Sequence, residues 1–599
     1  MVQDRLRKVR APTPVRGSKP LTMALFPPVL PSSKRPALLG LFRRGSWFPI
    51  LLAGLVRAST PDLIVHDAVV VTVDPARPTA TAFSVHRGRF VLVGSDAEVL
   101  KTRGPGTRVI DLHGQTVLPG FNDSHLHPRP EFPEDSIHGE VDLDPDRVPD
   151  RNRLLAVLRS KAAATPPGLW VRGFNYQDTR LGGHPTRELL DRVSTNHPIL
   201  LRHSSGHVWA VNSVVLDAAR ITRSTPDPKG GAFGRNREGE PDGVLREPPA
   251  LRLVEAAGPK VVDPSWEELV EGYDRCFDRF LSEGITSVQD AAGTPKALRA
   301  YQELARRGRG CRVGVLMQSA YLDIVEAAGM ESGFGDEWVR LGGIKIVHGN
   351  SLSGRTCWVS EPYDRVNPAT GRRDDFGIPP ARTQEELDAL VLRVHRSGLQ
   401  PAIHANGDRE IAMVLDAFER ALHELPKADA RFRIEHASVC PEALLRRAKD
   451  LGVVLALHSY IFEHGDKMEE YGPRRWEFMH PNRSAEDLGI VVSGNSDWPV
   501  SACKPMRRIQ SLVTRASAAG RVYGGSQRIP VETAIREYTW GSAFAERMEA
   551  VKGTIAEGRV ADFVVLSGDP RKSEPLRIAD IRVESTYVGG KPRFERSRN

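Results

Sequence analysis

Seven apolar, β-branched runs follow the segment "TVLPGFNDSHLHP": "GITSVQD", "RVGVLMQ", "GGIKIVH", "LQPAIHA", "RFRIEHA", "GVVLALH" and "GIVVSGNSD". Helical patterns such as "QEELDALVLRVHRSG" and "PEALLRRAKDLG" separate most of them. A strand followed by a helix returns the chain to the same edge, so repeated units of this kind build a parallel sheet. Eight units close into a (β/α)8 TIM barrel; a doubly wound open sheet is the structural alternative. The stretch at about 128–265, with "WVRGFNY" and "HPILLRHSSGHVWAVNS", breaks the alternation and reads as an insertion after strand 1. Short strands broken by Gly, Pro and Asp occur over 61–119 and return over 551–599, in "GRVADFVVLSGDP" and "VESTYVGGKPRF". The expected fold is therefore α/β: a barrel over 120–550 carrying that insertion, beside a small composite β-sandwich built from both ends of the chain.

Charge argues against a nucleic-acid partner. The net charge is +8, but residues 1–60 hold eleven Lys/Arg against Asp4 alone, which leaves the remainder at about −2. A nearly neutral body offers no broad basic face for phosphates. The five cysteines lie scattered with no Cys-x-x-Cys spacing, as expected of reduced thiols. The basic, Pro-rich leader ends in "RRGSWFPILLAGLVRAS", an Arg pair before a short apolar run. That resembles a twin-arginine export leader, although the run is too short to span a bilayer. A disordered extension or a mistaken start codon explains it equally, and a cytoplasmic location is the main expectation. No stable membrane insertion is expected, the partner is a small-molecule substrate, and a homodimer is admitted.

Barrel enzymes carry their chemistry at the carboxyl ends of the strands. Those ends hold His125 and His127 on strand 1, Lys345 on strand 4, His404 on strand 5, His436 on strand 6 and Asp497 on strand 8. Residues i and i+2 of a strand share a face, so the His125/His127 pair points into the mouth. A lone histidine after a strand is ordinarily a core or capping residue, and Asp497 in "GNSDWP" also fits a helix cap or turn. Lys345, between Ile344 and Ile346, is the unusual one, since lysine is seldom buried unpaired. Burial favours its neutral amine, which can take up carbon dioxide as a carbamate bridging two metals; a salt bridge to a barrel carboxylate is the alternative.

The order His-x-His, Lys, His, His, Asp resembles the amidohydrolase superfamily, and the details resemble its family 3 branch, which includes the N-substituted formamide deformylases. The matching stretches include "VLPGFNDSHLH", "LRHSSGHVWAVNS", "GGIKIV", "AIHANGDREI", "RIEHA", "GNSDWPV" and "KGTIAEGRVADFVVLSGDP", and they span about 61–594. The resemblance implies His125, His127, His404 and His436 as metal ligands, with His404 and His436 beside the reacting atoms. It implies carbamylated Lys345 as bridge and Asp497 as ligand and proton shuttle. His207 and Asn212 would reach over the mouth to substrate, a structural role within the insertion being the equal alternative. Two departures stand out: His348-Gly349 replaces the branch's usual Asp-Gly, and His458-Ser459 its Gln-Pro, both on the substrate side. The ligand chemistry suits Zn2+, one or two per chain, with other divalent metals admitted. The expected reaction is hydrolysis of a non-peptide carbon–nitrogen bond by metal-activated hydroxide, with Asp497 moving the proton. A deaminase, decarboxylase or isomerase on the same site is the second reading, and a non-catalytic regulator the third.

Overall fold

The computed structural model describes residues 60–597 apart from 146, 258, 368 and 369. The leader reading therefore lies outside the described residues. Seven strands form one parallel sheet in chain order: Phe121–Leu126, Ile285–Gly293, Arg312–Gln318, Val339–Val347, Pro401–Ala405, Arg433–His436 and Val454–Leu457. Helices return the chain between neighbours, among them Trp266–Ser282, Pro295–Arg306, Gln384–Arg396, Asp408–Glu424 and Glu442–Asp450. The result is an α/β barrel of the TIM type. The local reasons are plain in the sequence. Ser265/Glu268 and Thr383/Glu386 form capping boxes that satisfy the first amides of their helices. Each helix then turns one apolar face to the sheet, such as Val270, Phe277 and Phe280 of the first.

The run "GIVVSGNSD" departs from the expectation of a regular strand. Residues 490–497 make only two isolated parallel bridges, Leu455 with Val492 and His458 with Asn495. They nevertheless bond both edges of the sheet. Ser493 N–H donates to Leu455 O at 3.0 Å, while Ser124 N–H donates to Gly494 O at 3.1 Å and Asp497 N–H to His125 O at 2.8 Å. Side chains replace part of the ladder here: Asn495 Nδ2 donates to the carbonyls of Ala456 and Leu457 at 3.2 and 3.0 Å. A Cβ on Gly494 would sit 2.3 Å from the Tyr538 ring, so only glycine lets the two segments approach.

The strands of both ends meet in two sheets. One orders Arg89–Gly94, Ala82–His86, Leu63–His66 and Arg108–Asp111; the other sets Thr116–Pro119 antiparallel to Phe563–Leu566, with Val583–Val588 and Lys591–Glu595 beyond. Phe83, Phe90, Val117, Phe563 and Tyr587 share one core, in which Phe563 stacks on Tyr587 at 4.4 Å. The stretch expected as an insertion has its own six-stranded sheet, from Val141–Asp142 to Pro241–Arg246, with helices packed on it. Among the described residues no helix is long and apolar enough to cross a membrane.

Candidate metal centre

A cavity of about 1570 Å³ opens at the carboxyl ends of the barrel strands, between barrel and insertion. His127, His207, Lys345, His348, His404, His436 and Asp497 all line it. At its floor one nitrogen each of His125 and His436 and one oxygen of Asp497 lie within 4.8 Å of one another. His127 Nε2 stands 3.1 Å from Asp497 Oδ1, and Lys345 Nζ 3.2 Å from His125 Nε2. His404 packs beside His436 with ring centroids 4.6 Å apart, but its Nε2 lies 3.1 Å from both Asn350 O and Asn406 Nδ2.

The backbone explains how adjacent residues share this floor. Glu435 and His436 would face opposite ways in a regular strand. His436, however, has φ 74° and Asp497 has φ 52°, left-handed conformations that bring both side chains back toward the axis. Such strain in non-glycine residues tends to concentrate where a side chain must be aimed.

Two charged residues that the sequence reading passed over hold the site together. Glu435 accepts from Arg433 Nε at 2.9 Å and Nη2 at 3.0 Å, and its second oxygen meets His125 Nδ1. All three side chains are completely buried. The carboxylate fixes the His125 tautomer and leaves Nε2 free to bind an ion, the usual arrangement behind metal-bound imidazole. Arg433 and Glu435 sit two apart in "RFRIEH", and two charges on one face of an otherwise apolar strand were a signal that they must pair.

Burial keeps His125, His404 and His436 well below the ordinary histidine range, so the rings are neutral, as ligands must be. Burial alone would raise Asp497, but the hydrogen bond from His127 leads the effects that hold its carboxyl well below the usual range. Burial brings Lys345 down to about 8, against the pull of Glu435 and Asp497. His436 Nδ1 is buried with no hydrogen-bond partner, and Asp497 Oδ1 meets only histidine nitrogens, His127 Nε2 at 3.1 Å and His125 Nε2 at 3.6 Å. Acceptors of this kind, converging beside neutral imidazoles, fit a divalent cation.

Tyr460 is a third residue the sequence did not single out. Its hydroxyl donates to Asp497 Oδ2 at 2.6 Å, which leaves Oδ1 toward His127. Tyr460→Phe should lower kcat about tenfold or more with little change in KM, since a hydrogen bond to a charged group contributes about 1.5–3 kcal/mol. Steady-state kinetics with the same kcat as wild type would remove Tyr460 from this role.

The four expected substrate contacts divide. His207 reaches the cavity beside His404, rings 4.9 Å apart, with Nδ1 2.6 Å from the buried Glu247. His348 lines the cavity with both ring nitrogens unpartnered. Asn212 does not line it: its Oδ1 accepts from Ile199 N–H at 3.1 Å and its Nδ2 donates to the carbonyls of Ser194 and His197, tying the insertion together. His458 also sits outside the lining, with Nε2 2.7 Å from Ser496 O.

The chain is similar over most of its length to proteins of known family. It is 30% identical over 552 residues to the N-substituted formamide deformylase of Arthrobacter pascens, a match covering 90% of this chain and 99% of the relative. The Arabidopsis thaliana protein LONG AFTER FAR-RED 3 is 27% identical over 551 residues, 88% of this chain and 91% of that one. Among solved structures, a metal-dependent hydrolase of Pyrococcus furiosus superposes with a TM-score of 0.64 at 26% identity, covering 85% of this chain and all of that one. The amidohydrolase family model matches residues 108–594, and the chain belongs to that family.

Proposed function

We propose that this hydrolase cleaves the carbon–nitrogen bond of small non-peptide amides at the His125/His436/Asp497 centre. The observation that carries the reading is the convergence of these three residues' ligand atoms within 4.8 Å, beside a buried His436 Nδ1 that has no hydrogen-bond partner, at the floor of a large cavity. His125, His127, His436 and Asp497 would hold the first ion, and Lys345, taken as a carbamate, together with His404, a second. Zinc suits this donor set, and a bound ion supplies Lewis acidity and lowers the pKa of water at the site to roughly 7.

The chain's own residues divide the rest of the work. Asp497, kept ionised by the hydrogen bond from His127, takes the proton of the attacking water and delivers it to the leaving amine nitrogen. Tyr460 fixes which carboxylate oxygen faces the reaction. His207, raised in pKa because Glu247 outweighs the effect of burial, presents a donor over the cavity for the amide oxygen. The similarity to a formamide deformylase supports an amide as the target. In the same reading residues 490–497 are the eighth barrel strand, 61–119 with 551–599 are the sandwich, and about 128–265 the insertion.

The test combines elemental analysis with product analysis on a panel of formamides, N-acyl amines and cyclic amides. One or two divalent ions per chain are expected, zinc foremost, with acid and amine released in equal amounts from the open-chain members. A metal-loaded protein that released ammonia from ring amidines and left every amide intact would overturn the amide reading.

A further inference from the structure

The outer part of the cavity carries charge that the chemistry at its floor does not use. Arg252, on the insertion helix Glu247–Ala257, and Arg382, just before the helix Gln384–Arg396, both line the cavity together with His348. Among the described residues no carboxylate lies within 4.0 Å of either guanidinium. Arg382 has one hydrogen bond of its own, to Val347 O. Glu386, an acid on that wall, is occupied by its capping box, accepting from Thr383 N–H at 2.8 Å. The two arginines also sense each other: Arg382 is held below its ordinary value by burial and by the charge of Arg252, with Glu386 opposing. With no carboxylate at ion-pair distance from either, two cations facing one space repel each other.

Beneath them His348 is 4% exposed, and neither ring nitrogen has a partner. Burial and the nearby Arg382 bring it down to about 4, so at neutral pH it is an uncharged ring with one donor and one acceptor facing the cavity. It adjoins the floor directly, since Gly349 N–H donates to His404 O at 2.8 Å. Of the other acids on the cavity wall, Glu140 is shared by Arg129 and Arg202, while Glu255 feels the charges of Arg202, Arg252 and Arg172 without an ion pair within 4.0 Å among the described residues. Trp170, Phe174 and Trp209 supply apolar surface between the two walls.

We infer that Arg252, Arg382 and His348 form an anion-recognition subsite, and that the amides accepted here carry a carboxylate at a distance from the scissile bond. The inference rests on the amide-hydrolase reading. Guanidinium groups bind carboxylates through paired charge-assisted hydrogen bonds, and the His348 donor would take a remaining lone pair.

Matched substrates test it. N-Benzylformamide is compared with 4-(formamidomethyl)benzoate, and N-(2-phenylethyl)formamide with N-formylphenylalanine, on wild type, Arg382→Gln, Arg252→Gln and the double variant. In at least one pair the acid should be preferred about tenfold or more in kcat/KM, through KM, the scale of one charge-assisted contact. That preference should collapse in Arg382→Gln, weaken in Arg252→Gln, and shrink with added salt. The neutral partner's kinetics should not change, which shows that the variants are folded. Equal use of acid and neutral substrates by wild type, or a preference that survives in the double variant, overturns the subsite. If no formamide is turned over, calorimetric titration of the same pairs into wild type decides the matter. Tighter binding of the acid, lost in Arg382→Gln, keeps the subsite while the hydrolase reading falls. Binding without preference removes the subsite as well.

Discussion

Glu435→Gln should destabilise the protein by about 3–5 kcal/mol, the range for breaking one side of a buried ion pair, and weaken metal binding by about 10–100-fold, as for other partners of metal-bound histidine. Both carboxylate oxygens are in use: Arg433 takes one through Nε and the other through Nη2, and His125 Nδ1 meets the second as well. An amide offers one acceptor and turns an NH2 toward either the guanidinium or the imidazole. Arg433 then stays fully buried short of acceptors for Nε, although Gln289 Oε1 still takes Nη1 and Ser124 O takes Nη2 at 3.0 Å. The two losses can be separated. Replacing Arg433 and Glu435 together by methionine removes the buried charges, and such swaps often restore stability; metal affinity should stay low, because nothing orients His125. Melting temperature and a metal titration read the two effects independently. A Glu435→Gln protein that melts and binds metal like wild type would show that the carboxylate has neither role.

That pair also marks where the sequence stops being readable. The alternation of apolar runs and helical patterns is a local property, so the barrel strands and their helices could be placed from periodicity. The contribution of both ends to neighbouring sheets followed in the same way from strand texture. Backbone geometry is another matter. Period-two alternation puts His436 on the opposite face from Glu435, and only the left-handed turn at φ 74° reverses it. The segment 490–497 kept its strand-like composition but met its neighbours through Asn495 and Asp123 side chains, which no hydrophobic pattern encodes. Asn212 illustrates the limit of transferring roles by position. Its amide can make several hydrogen bonds, and here backbone groups of its own lobe take them. His458 is likewise held by Ser496 O, while His348, with no such partner, remained free to face the cavity.

Lys345→Ala should lose metal and activity together, with activity down by about a thousandfold, the order associated with electrostatic stabilisation of a transition state. The carbamate reading needs a buried neutral amine: it adds to carbon dioxide, the new N–C bond forms and one proton leaves, giving a monoanionic ligand. Lys345 meets the structural requirement, being 3% exposed with its Nζ 3.2 Å from His125 Nε2. The salt-bridge alternative finds little support, because among the described residues no carboxylate oxygen lies within 4.0 Å of Nζ, and Glu435 is already committed to Arg433. If the anion is the purpose, short carboxylates such as formate or acetate, added in bicarbonate-free buffer, should partly restore metal content and turnover to the alanine variant. Lys345→Glu sharpens the comparison, since a carboxylate can replace a carbamate as ligand but cannot replace an ammonium as a partner of Glu435 or Asp497. Elemental analysis should therefore find more metal in the Glu variant than in the Ala variant. Less metal in Lys345→Glu than in Lys345→Ala, with a lower melting temperature, would instead identify Lys345 as a cation that balances its two acidic neighbours.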